Sequence, residues 1–442
     1  MDKWLWMSAG DLGRGIAAGD IDPVALTETY LSAIDAHPDR DRIYSTVTHD
    51  RARAEAKAAA DRAKLGLRRS ALDGVPISWK DLFDSAGVAT EAGTALLKGR
   101  VPDTDARVLA TSTNMGTVCL GKTHMSELAF SGIGLNPVTA TPPNVNDPKG
   151  VPGGSSSGAA ASVAFGLAAA GIGSDTGGSV RLPSGWNDLV GLKTTSGRLS
   201  LDGVVPLAVK FDTVGPLCRT VEDCALSLAA MEGTKPADLP GATLEGVRFA
   251  SLMSLAHDDI RDAPRDGFNS ARERLQRGGA IVDPIDAPEP AEANTLSGML
   301  LTAEAYGTWK DEIEAQPDVM FSEILNRFRV GKTFTAADYV AGWQRLEVLR
   351  RQWAERTAPY DAVILPTSPI LPPDAERMMS DHDYYVAENL LALRNTRIGN
   401  TLGLCALTLP TGVPSCGIMI MCPPGQEERL LRLGKAAEKA LS

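Results

Sequence analysis

Two periods of hydrophobic spacing run along the chain. Over "DPVALTETYLSAIDAH" (22–37) and "DRARAEAKAAADRAKLG" (50–66) apolar residues recur at helical spacing, so the first 66 residues are expected to form two amphipathic helices in an outer layer. Pro23 suits a first helical turn after Asp22. "LDGVPISWKD" (72–81) and "GTVCLGKTHM" (116–125) predict short buried strands on either side of a helix around "DARVLATSTN". Further on, "TVEDCALSLAAMEG" predicts a helix that Thr220 and Asp223 cap, and "GVRFASL" predicts a strand. Charged helical sequence dominates 254–360, and "YDAVILPTSPILPP" (360–373) returns to a strand and a proline-rich loop. Helix and strand alternate, which is the pattern of an α/β protein. No stretch has the length and polarity of an interdomain linker, and no internal repeat is found, so one large domain spanning 1–442 is expected.

The stretch "PGGSSSGAAASVAFG" (152–166) resembles a flexible linker in composition. It leads, however, into a run of small and apolar residues that would be buried all round as a helix. A helix over 157–168 travels about 18 Å. A turn at Ala170-Gly171 followed by "GIGSDT" as extended chain retraces about 20 Å. That return brings "GGSSS" and "TGGS" to one place and makes neighbours of Ser155 and Ser179. Gly177 and Gly178 leave backbone N–H groups unscreened, so consecutive donors can converge on one oxygen, and Ser179 follows them as a candidate nucleophile.

A serine needs a base. The five histidines sit in no serine-hydrolase pattern, and no "GxSxG" surrounds Ser179. Lys80 ends an apolar strand, where desolvation would lower its pKa and free a neutral amine.

Composition narrows the functional classes. The chain has 442 residues, 43% hydrophobic and 22% charged, with a formal net charge of −11. That balance argues against nucleic-acid binding, which draws on clustered lysine and arginine. No apolar run reaches the length of a membrane span, and the start is a poor export signal. Six scattered cysteines fit reduced thiols, and a cytoplasmic location is expected. No residue spacing forms a metal site, and no cofactor is implied. Nucleotide binding fails because no "GKS" or "GKT" follows the glycine-rich loop, and "VGKTFT" (330–335) lacks the glycine that would have to precede it.

Taken together, "GVPISWKD", "PGGSSSG" and "GSDTGGSVRLPSGWNDLVGLKTTSGRLS" resemble the amidase signature family of serine hydrolases. "GKTHMSELAF", "FDTVGPLCRTVEDCA", "YDAVILPTSP" and "GNTLGLCALTLPTG" match further landmarks in order, over nearly the whole chain. The resemblance implies an α/β/α domain with a central mixed sheet flanked by helices, and a Ser-Ser-Lys triad. It makes Ser179 the nucleophile, Ser155 the bridging serine after a cis peptide bond, and Lys80 the base and acid. Thr176, Gly177, Gly178 and Ser179 become oxyanion donors through their backbone N–H groups. Asp175 braces the turn, with Ser156 and Arg181 in supporting positions. The chain reads "GGSSSGA" where the family more often reads "GGSSGGS", and it carries His124 where asparagine is common. Lys122 is a rival lysine, ranked below Lys80.

Two activities follow. One is hydrolysis of a small carboxamide through an acyl-enzyme. The other is a glutaminase-type component of a tRNA-dependent amidotransferase that passes ammonia to a partner. The acyl pocket is expected within about 300–400, beside a helical substrate-side insertion over 254–360. His124, Arg394 and Arg397 are its candidate substrate contacts, and a homodimer is compatible with this reading.

Overall fold

The structure, a computed structural model, describes residues 2–442. Ser8 and Asp22 cap the helices Ala9–Ala18 and Pro23–Ala36, their side chains accepting backbone N–H bonds in each first turn. The first 66 residues hold more than the two expected helices. Between the helices Pro23–Ala36 and His49–Lys64 lies a strand, β1 (Tyr44–Val47), which pairs antiparallel with β3 (Val118–Thr123). "YSTV" is rich in β-formers but too short to register against the helical periods on both sides.

Eleven strands among the described residues form one sheet. Besides β1 and β3 they are β2 (Pro76–Lys80), β4 (Ala170–Ser174), β5 (Val190–Lys193), β6 (Val214–Cys218), β7 (Arg248–Leu252), β8 (Ile281–Ile285), β9 (Ala362–Pro366), β10 (Cys405–Pro410) and β11 (Gly417–Cys422). Their order is β1-β3-β2-β4-β6-β5-β10-β11-β9-β7-β8. β2 runs parallel to both β3 and β4, β7 runs parallel to both β8 and β9, and the strands between β4 and β9 pair antiparallel. The sheet is therefore mixed, with helices on both faces, as the resemblance implied. Every residue of β2, β3 and β4 is buried, which explains why these strands read as continuous apolar runs without alternation.

The region 254–360 is not wholly helical. β8 lies between the helices Asp262–Arg277 and Glu289–Ala315 and forms the edge of the sheet beside β7. The helices Ser322–Val330 and Ala336–Thr357 complete the stretch.

What places the site is the register of β2 against β4. Ile77 pairs with Ala170 and Trp79 with Ile172, so the parallel strands end together at Lys80 and Ser174. Functional groups in α/β proteins gather outside the carboxyl ends of such strands.

Candidate active site

The glycine-serine stretch does fold back on itself, by a shorter route than the spacing predicts. The helix spans Ser157–Ala164 and stops because the chain turns at Gly166, whose φ of +74° suits glycine. Leu167 and Ala168 both donate to the Ser162 carbonyl, at 2.7 and 2.9 Å, and β4 begins at Ala170. Ala159, Ala160 and Val163 pack in one core with Leu31 and Tyr44, so this is a buried helix and not a linker. At its open end the Ser156 N–H donates to the Ser179 carbonyl at 3.2 Å. The Ser156 hydroxyl donates to the Ser174 carbonyl (3.1 Å) and accepts from the Ser174 N–H (3.3 Å). Ser155 follows a cis peptide bond from Gly154.

Lys80 is fully buried where β2 ends. Its Nζ donates to Ser155 Oγ at 2.7 Å and to Ser174 Oγ at 2.8 Å. It forms no salt bridge with a described residue. Burial pulls its pKa down to about 7, against the weaker pull of the negative charges of Asp212 and Asp175. A substantial fraction of this amine is neutral near pH 7. Ser179 is 4% exposed, and its hydroxyl makes no hydrogen bond to any described residue. The hydrogen-bonded chain thus runs from Lys80 to Ser155 and stops short of Ser179.

The turn that carries Ser179 is tied to Asp175. This carboxylate is fully buried and accepts from the Gly178 N–H (2.9 Å), the Val180 N–H (3.1 Å), Arg181 Nε and Nη2 (3.0 and 2.9 Å) and Asn400 Nδ2 (2.8 Å). Burial alone would raise its pKa, but the Arg181 guanidinium and these donors hold it far below the usual carboxylate range. Arg181, equally buried, also donates to Asn400 Oδ1 and to the Thr396 carbonyl, both at 2.6 Å. Gly178 sits at φ +135°, and a Cβ there would lie 2.1 Å from Thr396 Oγ1, so no other residue fits.

This bracing engages one member of the expected donor set. The Gly178 N–H is engaged by Asp175, whereas the N–H groups of Thr176, Gly177 and Ser179 have no acceptor among the described residues. Thr176 is steadied through its hydroxyl, which donates to Asp212 at 2.5 Å. A Cβ on Gly177 would meet nothing within 4 Å, so that face of the turn is open.

Two candidate substrate contacts, His124 and Arg394, do not line the largest of the cavities near the serine turn's support helix. His124 is partly buried, its backbone N–H donates to the Ile43 carbonyl and its carbonyl accepts from the Gly158 N–H at 2.9 Å. Burial lowers its pKa to about 4. Arg394 points away to hold the 256–258 loop through the carbonyls of Ala256 (3.1 Å) and Asp258. Arg397 does line a cavity of about 1140 Å³ with Arg327, Tyr385, Asn389, Met299 and Phe334. Residues in or next to the wall of that cavity hold both serine segments by hydrogen bonds. Asn389 Oδ1 accepts from the Gly132 N–H at 3.1 Å, and the Gly132 carbonyl accepts from the Gly154 N–H at 2.7 Å. On the other side, Thr396 Oγ1 donates to the Gly177 carbonyl at 2.9 Å.

Ser174, Asp212, Asn400 and Arg327 escaped the sequence reading. Ser174 had a usable signal, since it precedes Asp175 on the strand paired with the one ending in Lys80. Among the described residues no group of three or more His, Cys, Asp or Glu side chains is placed to hold a metal ion, and no helix is long and apolar enough to cross a membrane.

A family model described as "Amidase" matches residues 25–431. The 2-amino-5-chloromuconic acid deaminase of Comamonas testosteroni is 32% identical over 95% of this chain and 93% of its own length. A component of the glutamyl-tRNA(Gln) amidotransferase of Anaeromyxobacter sp. (strain K) is 32% identical over 98% of this chain and 95% of its own. Among solved structures, the native peptide amidase of Stenotrophomonas maltophilia superposes with a TM-score of 0.82 at 26% identity, covering 98% of this chain and 96% of that one.

Proposed function

The chain belongs to the amidase signature family, and from that premise we propose that it hydrolyses a small carboxamide through an acyl-enzyme on Ser179. The observation that carries this reading is the 2.7 Å contact of a fully buried, carboxylate-free Lys80 with Ser155. A lysine held so can give and take a proton near neutral pH.

In the proposed reaction, substrate closes the remaining step between Ser155 and Ser179. Neutral Lys80 takes the Ser155 proton while the Ser155 oxygen takes the proton of Ser179, whose Oγ attacks the carbonyl carbon. The carbonyl π pair moves to oxygen, and the N–H groups of Thr176, Gly177 and Ser179 hold the resulting oxyanion. As the tetrahedral species collapses, the C–N bond breaks and Lys80, through Ser155, returns the proton to the departing nitrogen. Water then repeats the sequence on the ester, yielding the carboxylate and free Ser179. Asp175, Arg181 and Asn400 keep the turn in place throughout. We read residues 1–442 as one domain, because strands from both halves of the chain join in one sheet. We place the enzyme in the cytoplasm, in keeping with six unpaired buried cysteines.

A second reading, a glutaminase-type component of a larger enzyme, is favoured by the amidotransferase relative, which matches over nearly all of this chain. The two part on a simple measurement: the purified chain alone turns over amides in the first and needs its partner in the second. Treatment with a fluorophosphonate, followed by intact-protein mass spectrometry, is expected to show one adduct that Ser179→Ala abolishes. Labelling of Ser179→Ala at the wild-type rate would refute the assignment.

A further inference from the structure

Arg327 and Arg397 are the two unpaired cations of the large cavity. The Arg397 guanidinium donates to no described residue, and Arg327 forms no salt bridge with one. Arg327 rests over the Phe130 ring at 4.7 Å, and its Nη1 is buried without a hydrogen-bond partner. A guanidinium left so has lost water without gaining an acceptor, an arrangement that costs free energy unless something else supplies one. Burial lowers the pKa of both groups, and the charge of Arg327 lowers that of Arg397 further, to about 10. Both guanidinium groups line the same cavity.

Most other charged groups of the cavity are ion-paired. Arg345 is paired with Glu292 at 2.5 Å and Glu323 with His382 at 2.7 Å, while Asp338, exposed to solvent, accepts through Oδ2 from both the N–H and hydroxyl of Thr335. The remaining wall is largely apolar, with Leu296, Met299, Leu301 and Phe334. The cavity thus offers a cationic pair that attracts an anion and repels an ammonium group, an apolar surface to a hydrocarbon chain, and only the solvent-exposed Asp338 as a carboxylate without an ion pair. Arg397 follows Thr396, whose hydroxyl donates to the Gly177 carbonyl at 2.9 Å, so one helix contributes both to this cavity and to the support of the proposed oxyanion site.

From this we propose that Arg327 and Arg397 bind a substrate carboxylate, and that the enzyme acts on monoamides of dicarboxylic acids lacking an α-ammonium group. A guanidinium fork is suited to a carboxylate, and a carboxylate between two guanidinium groups relieves their mutual repulsion. The proposal rests on the reading of Ser179 as nucleophile, because it assigns the anion to the acyl part of the substrate that Ser179 attacks.

Three compounds separate the parts of the claim. Glutaramate carries the carboxylate, pentanamide lacks it, and glutamine adds the α-ammonium; succinamate and adipamate vary the chain length. Binding is read by calorimetry on Ser179→Ala, and turnover on the wild-type enzyme. An acid monoamide of this series is expected to bind and react best, and Arg397→Gln or Arg327→Gln is expected to weaken its binding about 10- to 100-fold while leaving pentanamide unchanged. Arg397→Lys should recover part of the loss. Melting temperatures are followed because Arg327 also packs on Phe130; Arg397→Gln, which lacks that contact, tests the idea if Arg327→Gln unfolds. The proposal is overturned if no acid monoamide binds, if pentanamide is preferred or equal, if glutamine equals glutaramate, or if the arginine variants weaken all ligands alike. Amide turnover by Ser179→Ala would instead overturn the nucleophile and leave the binding comparison standing.

Discussion

Lys80 and Lys122 stand on neighbouring parallel strands, and the register that pairs Trp79 with Lys122 pairs Lys80 with Thr123. Both are fully buried, and burial lowers the pKa of both. They differ in what they face. Lys80 meets two hydroxyls, Ser155 and Ser174, whereas Lys122 meets the Asp81 carboxylate at 3.2 Å and the Thr90 hydroxyl at 2.9 Å. A hydroxyl accepts a hydrogen bond from either form of the amine, so it leaves the proton free to move. A carboxylate at that distance favours the charged form and keeps the proton where it is. Burial of a lysine therefore does not by itself make a base; the neighbour decides.

The sharpest way to break this comparison is to truncate each lysine. Lys80→Ala is expected to lower amide turnover about 10²- to 10⁴-fold, the range of general acid–base catalysis. Loss of ester hydrolysis with the same acyl group should be smaller, because an alkoxide departs with less protonation than an amide nitrogen, provided acylation limits both. Amide turnover near wild type in Lys80→Ala, measured by product release, would end the assignment.

Lys122→Ala should act on stability. It strands Asp81 as a buried carboxylate without its ion, which costs about 3–5 kcal/mol, read by denaturant unfolding. Its turnover below the unfolding transition should stay close to that of the wild type. A Lys122→Ala enzyme that folds normally but is inactive would reverse the roles given to the two residues.

The pH profile gives a smaller but more specific signal. The base must be neutral, so kcat/KM for an amide should fall about tenfold per unit below the Lys80 pKa. That value lies near 7. The stability linkage has the same direction: the folded chain carries the cost of a buried charge in full below about pH 7, and the cost fades as pH rises toward 10.5, where the unfolded chain also loses this proton. Asp81→Asn, by removing the charge that holds the Lys122 proton, should leave the activity profile in place. Dialysis against EDTA is expected to change nothing, and a loss restored by one divalent ion would reveal a ligand set outside this account.

Much of the site was legible because its parts are local. "GGSSSG" and "TGGS" are adjacent in the chain to a helix and a strand of matched length, and Lys80 closes a strand whose every residue is apolar or small enough to bury. The substrate side was less legible. Arg394 and Arg397 lie three positions apart on one helix, yet one clips the 256–258 loop and the other opens into the cavity. His124 directly follows a strand that reaches the site, yet it does not line the cavity that receives Arg397.

The sequence by itself determined the alternation of helix and strand that makes the protein α/β, the return that brings the Ser155 and Ser179 segments together, and the strand that ends in Lys80, because these follow from periodicity and short spans of chain. The tertiary structure alone decided which donors and charges remain free. The Gly178 N–H is taken by Asp175, the Asp175 charge is balanced by Arg181 six residues on and steadied by the Asn400 amide from a distant segment, and Arg327 and Arg397 line one cavity built by several helices. Which donors and acceptors meet depends on side-chain directions and on residues such as Asn400 far along the chain, and no period or local spacing encodes it.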